Sequence, residues 1–349
     1  WSKINYTILH CHTMLSNPTT TLDSVTSYID YVDKAKEHGM KAIAFTEHGN
    51  LLSWYNKKRY CEEKGLKYIH GVEAYVTKDL KEKRRDNYHV VLLSKNYEGF
   101  LELNELVSKS FNRADVKVID AKERFYFNPR ITYDELKNTS DNIILLSGCL
   151  GGILNSGDIE LEKDFINFMI DNKHRCFLEI QHHHVEEQRL YNQKLYKISQ
   201  QTGIELVAGT DTHSLNEESA KGREILQKSK HVRFENEKNW DLIFRTYDEL
   251  VDMYDKQNSL PKEIYLQAIE NTNKIADMIE EFKVDTSFKY PKIYENSEQV
   301  FYNKIMSRLK KHPHILKRHK YEDVKKRIDE EFEVYKQTNL IDFMLLQSY

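Results

Sequence analysis

Cysteine is scarce. The 349 residues hold four, Cys11, Cys61, Cys149 and Cys176, too few and too scattered for a disulfide scaffold. Long apolar runs are missing too. Stretches such as Ile143 to Leu146 fall far short of the ~20 residues a membrane-spanning helix requires, and no secretory leader pattern precedes the first apolar run. A reduced, cytoplasmic protein with no membrane contact is the expectation. There is also no excess of charge of one sign: the formal net charge is −3, so any contact with a polyanion has to come from local patches. Internal repeats and low-complexity tracts are lacking. The chain opens on Trp1 rather than Met and stops at Tyr349 directly after an apolar run, which is expected of a piece of a longer polypeptide.

What is present is an alternation. A single core rarely grows beyond about 250–300 residues, so this length predicts one large domain plus an appendage. Ile4 to His10, Lys41 to Thr46, Lys67 to Val72, Val90 to Leu93, Ile143 to Leu146, Cys176 to Ile180 and Leu206 to Ala208 read as short buried strands. Between most of them lie segments of helical periodicity: Leu22 to Glu37, Ser53 to Lys64, Tyr97 to Phe111 and Gln188 to Gln201. Such alternation predicts an α/β fold with parallel strands and helices packed outside. Past about residue 215 the strand signal fades. Tyr247 to Tyr254 and Ile264 to Phe282 read as helices, Thr286 to Pro291 as a connector, and a boundary is expected near 285, giving domains 1–285 and 286–349. Gln299 to Lys311 and Tyr321 to Gln337 read as helices joined by a basic stretch, Arg308 to Lys320. That stretch is either a solvated linker or a contact for DNA phosphates.

The chemistry lies at the ends of the apolar runs. His10, His12, His48, Glu73, His89, Cys149, Asp211 and His213 all sit just after or just before one. Functional groups of a parallel barrel come from the carboxyl ends of many strands, so these residues are expected to converge on one rim. His89 breaks the rule by preceding its run. In His10-Cys11-His12 both imidazoles point the same way, because side chains two apart in an extended segment share a face; Asp211-Thr212-His213 repeats the arrangement. Cys11 then faces away. Glu73 can bridge two ions through its two oxygens. Imidazoles and carboxylates together suit Zn, Mn or Fe, and two or three such divalent ions would acidify a shared water that attacks phosphorus in line. Glu73 and Asp211 are the residues on which catalysis is expected to depend. His182-His183-His184 follows the sixth strand and is read as a solvated loop or, less simply, a substrate contact. Isolated histidines such as His38, His70 and His174 are read as ordinary core or surface residues.

Several stretches in series resemble one family. His10-Cys11-His12, Ala44 to Asn50 (AFTEHGN), Gly71 to Tyr75 (GVEAY), Tyr88 to Leu93 (YHVVLL), Ser147 to Gly152 (SGCLGG) and Gly209 to His213 (GTDTH) resemble the PHP (polymerase and histidinol phosphatase) domain that opens bacterial replicative DNA polymerase III alpha subunits. Ser147 to Gly152 and Leu178 to Gln181 (LEIQ) look like the polymerase branch. Tyr321 to Gln337 with Leu340 to Leu346 resembles the family's entry into the polymerase palm.

The resemblance implies a distorted seven-stranded (β/α) barrel with up to three metals. By motif, His10, His12, Glu73 and Asp211 would surround one ion, Glu73, His89 and Cys149 a second, and His48 with His213 a third. Where the polymerases usually place an aspartate shortly after the His pair, this sequence reads Ser16-Asn17-Pro18-Thr19, with Asp23 further on, and Glu47 replaces the aspartate beside His48. The third ion therefore depends on weak binding or on Asp23 or Asn17 filling in.

The resemblance also implies a 3′–5′ exonuclease acting on a DNA 3′ end in replication or proofreading, working with the remaining polymerase domains or a partner polymerase subunit. The palm carboxylates are missing, so no polymerase activity is expected of this chain alone. The alternatives are a scaffold that has lost catalysis and, more remotely, a phosphatase for a small phosphate ester.

Overall fold

Seven short runs of aliphatic residues pair into one sheet: β1 (Ala42–Phe45), β2 (Lys67–Thr77), β3 (Tyr88–Ser94), β4 (Arg130–Thr132), β5 (Ile143–Leu146), β6 (Cys176–Ile180) and β7 (Leu206–Ala208). The computed structural model describes residues 4–19, 22–232, 237, 239–287 and 289–348. The chain divides into two compact units, 1–282 and 283–349.

In the first unit the strand order is β1-β2-β3-β5-β6-β7, with β4 beside the far end of β2. All pairings are parallel except those of β3, which runs antiparallel to both β2 and β5. The N-terminal segment closes the ring. Ile8 bridges Ile43 of β1 and Cys11 bridges Thr212 beyond β7, through Ala44 N to Ile8 O at 2.8 Å, His12 N to Thr212 O at 2.7 Å and Thr212 N to His10 O at 3.1 Å. The result is a distorted (β/α) barrel. Ile4 to His10 does not form a regular strand. The Asn5 side chain takes the Tyr6 N–H and the Thr272 hydroxyl takes the Thr7 N–H, so the ladder is interrupted there.

Alternation along the strands divides the apolar residues between two cores. Ala42 and Ala44 of β1 and Ile144 and Leu146 of β5 point into the barrel with Leu9, Ile69, Val91, Leu93, Phe177 and Val207. Their neighbours Ile43, Phe45, Ile143 and Leu145 face the helices outside.

The helices are α1 (Tyr28–Glu37), α2 (Trp54–Lys64), α3 (Tyr97–Ser110), α4 (Tyr133–Lys137), α5 (Ile159–Asp171), α6 (Glu186–Thr202), α7 (Glu217–Ser229), α8 (Tyr247–Gln257) and α9 (Lys262–Met278). The last turn of α9 plugs the barrel with Ile275, Ala276 and Ile279, and Lys67, at the start of β2, donates to its terminal carbonyls Ala276 O and Ile279 O at 3.0 Å each. That end of the barrel is sealed, which leaves the opposite rim for chemistry.

Helix α1 starts at Tyr28 rather than at Leu22. Ser27 and Asp30 form a capping box that fixes the start, and Leu22 to Ser27, before it, are not helical. Helices α4, α5 and α7 and strand β4 are not among the elements that the apolar pattern predicts. The spacing of Leu161, Phe165 and Met169, all buried, marks α5, whereas α7 buries only Gln227 and carries little apolar signal.

The second unit holds α10 (Ser297–Lys311), α11 (Pro313–Arg318), α12 (Tyr321–Gln337) and α13 (Ile341–Gln347) around Phe301, Ile341 and Leu345. The basic stretch is thus partly helical, and no side chain of α11 is buried. Of the connector at Thr286 to Pro291, Phe288 lies outside the described residues.

Phe177 fills the barrel interior with its ring 1% exposed. Phe177→Ala is expected to destabilise the chain by about 3–5 kcal/mol, read as a lower urea midpoint at unchanged slope.

Candidate metal centre

The open rim gathers imidazoles and carboxylates from six parts of the chain. Glu73, inside β2, is at their centre. Its Oε1 lies 3.5 Å from His10 Nε2 and 3.1 Å from His89 Nδ1, with Cys149 Sγ at 3.8 Å. Its Oε2 lies 3.4 Å from His12 Nε2 and 2.6 Å from His48 Nδ1. Asp211 Oδ1 stands 3.2 Å from both His10 Nε2 and His12 Nε2. Asp23 completes the ring, with Oδ2 3.2 Å from His48 Nε2 and Oδ1 3.2 Å from His213 Nε2.

Three overlapping groups have their donor atoms within 4.8 Å of one another: His10, His12 and Glu73; Glu73, His89 and Cys149; and His12, Asp23, His48 and His213. All eight residues singled out at the strand ends therefore meet in one place.

Local structure explains how. His89 precedes its apolar run because β3 is antiparallel, so its first residues reach the rim that the parallel strands reach with their last. The turn after β5 presents Cys149. It wraps so closely round His89 that a Cβ on Gly148, at φ +84°, would stand 2.5 Å from His89 O, a place and a conformation open only to glycine. Asp211 departs from the extended geometry expected of it. Its φ is +47°, in the left-handed region that costs a non-glycine residue energy and recurs at functional sites, and its carbonyl accepts from His213 Nδ1 at 2.7 Å. His213 Nε2 is thereby aimed at Asp23.

Asn17 is not a donor to the cluster. Its side-chain oxygen accepts from the backbone N–H groups of Asp23 and Ser24 at 2.8 and 3.0 Å, shaping the loop that brings Asp23 in. Glu47 is not one either: it accepts from Lys57 Nζ at 2.7 Å, Ser16 Oγ at 2.5 Å and Thr13 Oγ1 at 2.6 Å. Ser16 Oγ also lies 3.2 Å from His12 Nδ1, so the pair orients that ring from behind. Glu179, in β6, does the same for His10, accepting from Nδ1 at 2.6 Å. Asp23, Glu179 and Ser16 were absent from the residues singled out at the strand ends. A carboxylate inside the apolar run Cys176 to Ile180 is the signal that marks Glu179.

Five other histidines are occupied elsewhere. His182 faces Asp241 at 2.9 Å, His183 faces Gln181 Oε1 at 3.0 Å and stacks on Trp240, and His184 donates to Met253 O at 2.7 Å. His70 lies against Tyr68 and Asn104, and His174 against Asp141. Cys11 points into the outer core.

The electrostatics call for positive charge. Burial would push the Glu73 carboxyl up, but the imidazoles of His89 and His48 outweigh it and hold Glu73 well below the usual carboxylate range. Burial is outweighed in the same way at Asp211 by His10 and His213, and at Asp23 by His213 and His48. His12 goes the other way. Burial, with His48 stacked at 4.0 Å and His213 at 4.4 Å, lowers it to about 4 and keeps the imidazole neutral, the form that binds metals.

His10 Nε2, His12 Nε2, His48 Nδ1, Asp23 Oδ2, Glu73 Oε2 and Asp211 Oδ1 are buried, and none has a hydrogen-bond partner among the described residues. Even His48 Nδ1, so near Glu73, is out of line for one. Buried polar atoms are rarely left unpaired. Atoms crowded together yet unaligned with each other fit donors aimed at shared cations, and the N, O and S set fits Zn, Mn or Fe.

The family model of the PHP domain matches residues 9–183. This chain belongs to the PHP family. The match takes in His10, His12, His48, Glu73, His89, Cys149 and Glu179 and ends before Asp211 and His213.

Among curated relatives, the DNA polymerase III alpha subunit of Borreliella burgdorferi is 31% identical over 294 residues, covering 79% of the PHP chain and 24% of the relative. That of Helicobacter pylori is 27% identical over 380 residues, covering 98% and 30%. The chain thus spans 24% to 30% of the length of these relatives.

Solved structures lie further off. A two-domain protein of Bacteroides vulgatus, described as containing a predicted PHP-like metal-dependent phosphoesterase, is 14% identical with a TM-score of 0.35, over 60% of this chain and 52% of that one. Histidinol phosphate phosphatase of Lactococcus lactis, complexed with zinc, L-histidinol and phosphate, is 13% identical with a TM-score of 0.34, over 66% and 95%.

Asp23→Ala is expected to lower the divalent metal retained after loading and desalting by one equivalent, with the remaining metal still held through Glu73. Elemental analysis of both proteins checks it.

Proposed function

We propose that this PHP domain is a polynuclear-metal phosphodiesterase, a 3′–5′ exonuclease on DNA, and that it forms the N-terminal part of a DNA polymerase III alpha-like protein of the cytoplasm. The observation that carries the reading is the position of Glu73, whose two oxygens face four imidazoles and a thiol at the open end of the barrel.

Divalent ions held there by His10, His12, Asp23, His48, Glu73, His89, Cys149, Asp211 and His213 would supply neutralisation of phosphate oxygens and acidification of a water. The chain's own part is positioning. Glu73 joins the subsites, while Glu179, Ser16 and Glu47 hold His10 and His12 in the tautomers that leave both Nε2 atoms turned inward. No serine, threonine or lysine among the described residues stands inside the cluster as a nucleophile, which favours direct attack by water. The similarity to DNA polymerase III alpha subunits over most of the chain favours a nucleic acid strand end over a small ester.

The purified chain loaded with Mn or Zn is expected to shorten a 3′-terminal single strand, to stop when a chelator is added, and to resume when the metal is restored. Glu73→Ala and Asp211→Ala should each reduce the rate to background while retaining the wild-type circular dichroism spectrum. Activity surviving in both variants would assign the nuclease to a contaminant.

A further inference from the structure

A second surface lies outside the metal centre, on residues 78–87 and 111–129. Arg130 of β4 is buried beneath it and ties the two stretches together, donating to Arg124 O at 2.6 Å, Glu82 O at 2.6 Å and Leu80 O at 3.0 Å. On this clamp, cations stand over rings in series. The Arg85 guanidinium lies 3.9 Å from the centroid of Phe127, Lys83 Nζ 5.2 Å from Tyr126, and the Arg84 guanidinium 5.8 Å from Tyr88.

Arg84 and Arg85 are exposed, and no ion pair joins either to a carboxylate among the described residues. Phe127 is 51% exposed and sits at φ +57°, a costly conformation for a bulky side chain that here turns the ring outward.

We propose that this surface is a platform for single-stranded DNA, with bases stacking on Phe127 and Tyr126 and phosphates held by Arg84 and Arg85. Charge complementarity selects the occupant: a chain of net charge −3 nonetheless places two guanidiniums, with no carboxylate partner among the described residues, against half-buried Tyr88 and exposed Phe127. Cations alternating with rings suit a backbone of phosphates carrying bases, since every base has a face to stack whatever its sequence. An acidic peptide would use the cations and leave the rings idle.

The platform leads to the metal rim. Tyr88 precedes His89 in β3, the Tyr75 ring is 5.0 Å from that of His89, and Pro129 packs so tightly on Gly49, next to His48, that a Cβ there would stand 2.6 Å from it. The destination of the strand rests on the phosphodiesterase reading; the binding does not.

The test is fluorescence anisotropy of a labelled oligothymidylate with the full chain, metal removed by EDTA so that nothing is cut. Phe127→Ala is expected to weaken binding about tenfold, the order of one lost base stack. The Arg84→Gln/Arg85→Gln double variant should flatten the dependence of log K on log salt by about 1.4, two phosphate contacts of a single strand. Both variants change exposed residues, and circular dichroism confirms that they fold. The platform is overturned by wild-type affinity and salt slope in both variants, by absence of binding in the wild type, or by an acidic peptide competing as well as the oligonucleotide. Variant losses as expected support it even where the 3′ end is never shortened, a result that counts against hydrolysis alone.

Discussion

Burying several carboxylates in one small space is the constraint on which the rest depends. Asp23, Glu73, Glu179 and Asp211 are all sealed from solvent at the open end of one barrel, where unpaired negative charge is prohibitively expensive. The fold answers with His10, His12, His48, His89 and His213, and the remaining orphaned donor atoms ask for cations. Residues behind the cluster serve that arrangement. Lys57 neutralises Glu47, Glu47 and Ser16 align His12, and Arg223 donates to the Asp23 carbonyl. The PHP barrel is in this sense a support for one charged cavity.

The barrel's irregularities follow from the same demand. A uniformly parallel barrel brings only the ends of strands to the rim. Reversing β3 brings the beginning of one strand there as well, so His89 joins Cys149, from the turn after β5, at Glu73 Oε1, while His12 and His48 face Oε2. The N-terminal segment, by closing the ring without pairing as a full strand, places two imidazoles on the seam. Asp211 takes up a left-handed conformation at the end of β7, and its carbonyl then fixes His213. Each departure from regularity carries a donor atom.

Much of this was legible in the sequence because apolar runs with a ligand-type residue at one end are a strong local signal. Strands β5, β6 and β7 follow their runs residue for residue, as does α12, and the residues at run ends converge as the barrel rule requires, except His89, which arrives because β3 is reversed. What stayed hidden depended on partners distant in sequence. The direction of β3 is set by its neighbours β2 and β5. The first segment is denied a ladder by Asn5 and Thr272. Of the two residues weighed for the third ion, Asp23 is the one brought in, held by Asn17 through its backbone N–H, and Glu179 is a single carboxylate in an otherwise apolar run whose partner His10 lies far away in sequence. Helix α7 has almost no buried face, so periodicity had nothing to report.

The seam has a consequence for how the molecule comes into being. His10 and His12 are made some two hundred positions before Thr212, the residue whose backbone they must clasp. Contacts this remote in sequence form slowly and late, and during synthesis the opening histidines stay unmated until most of the barrel has emerged. The pocket therefore cannot close until β7 and the turn after it have been made, and a chain cut short before β7 has every early imidazole and nowhere to anchor them.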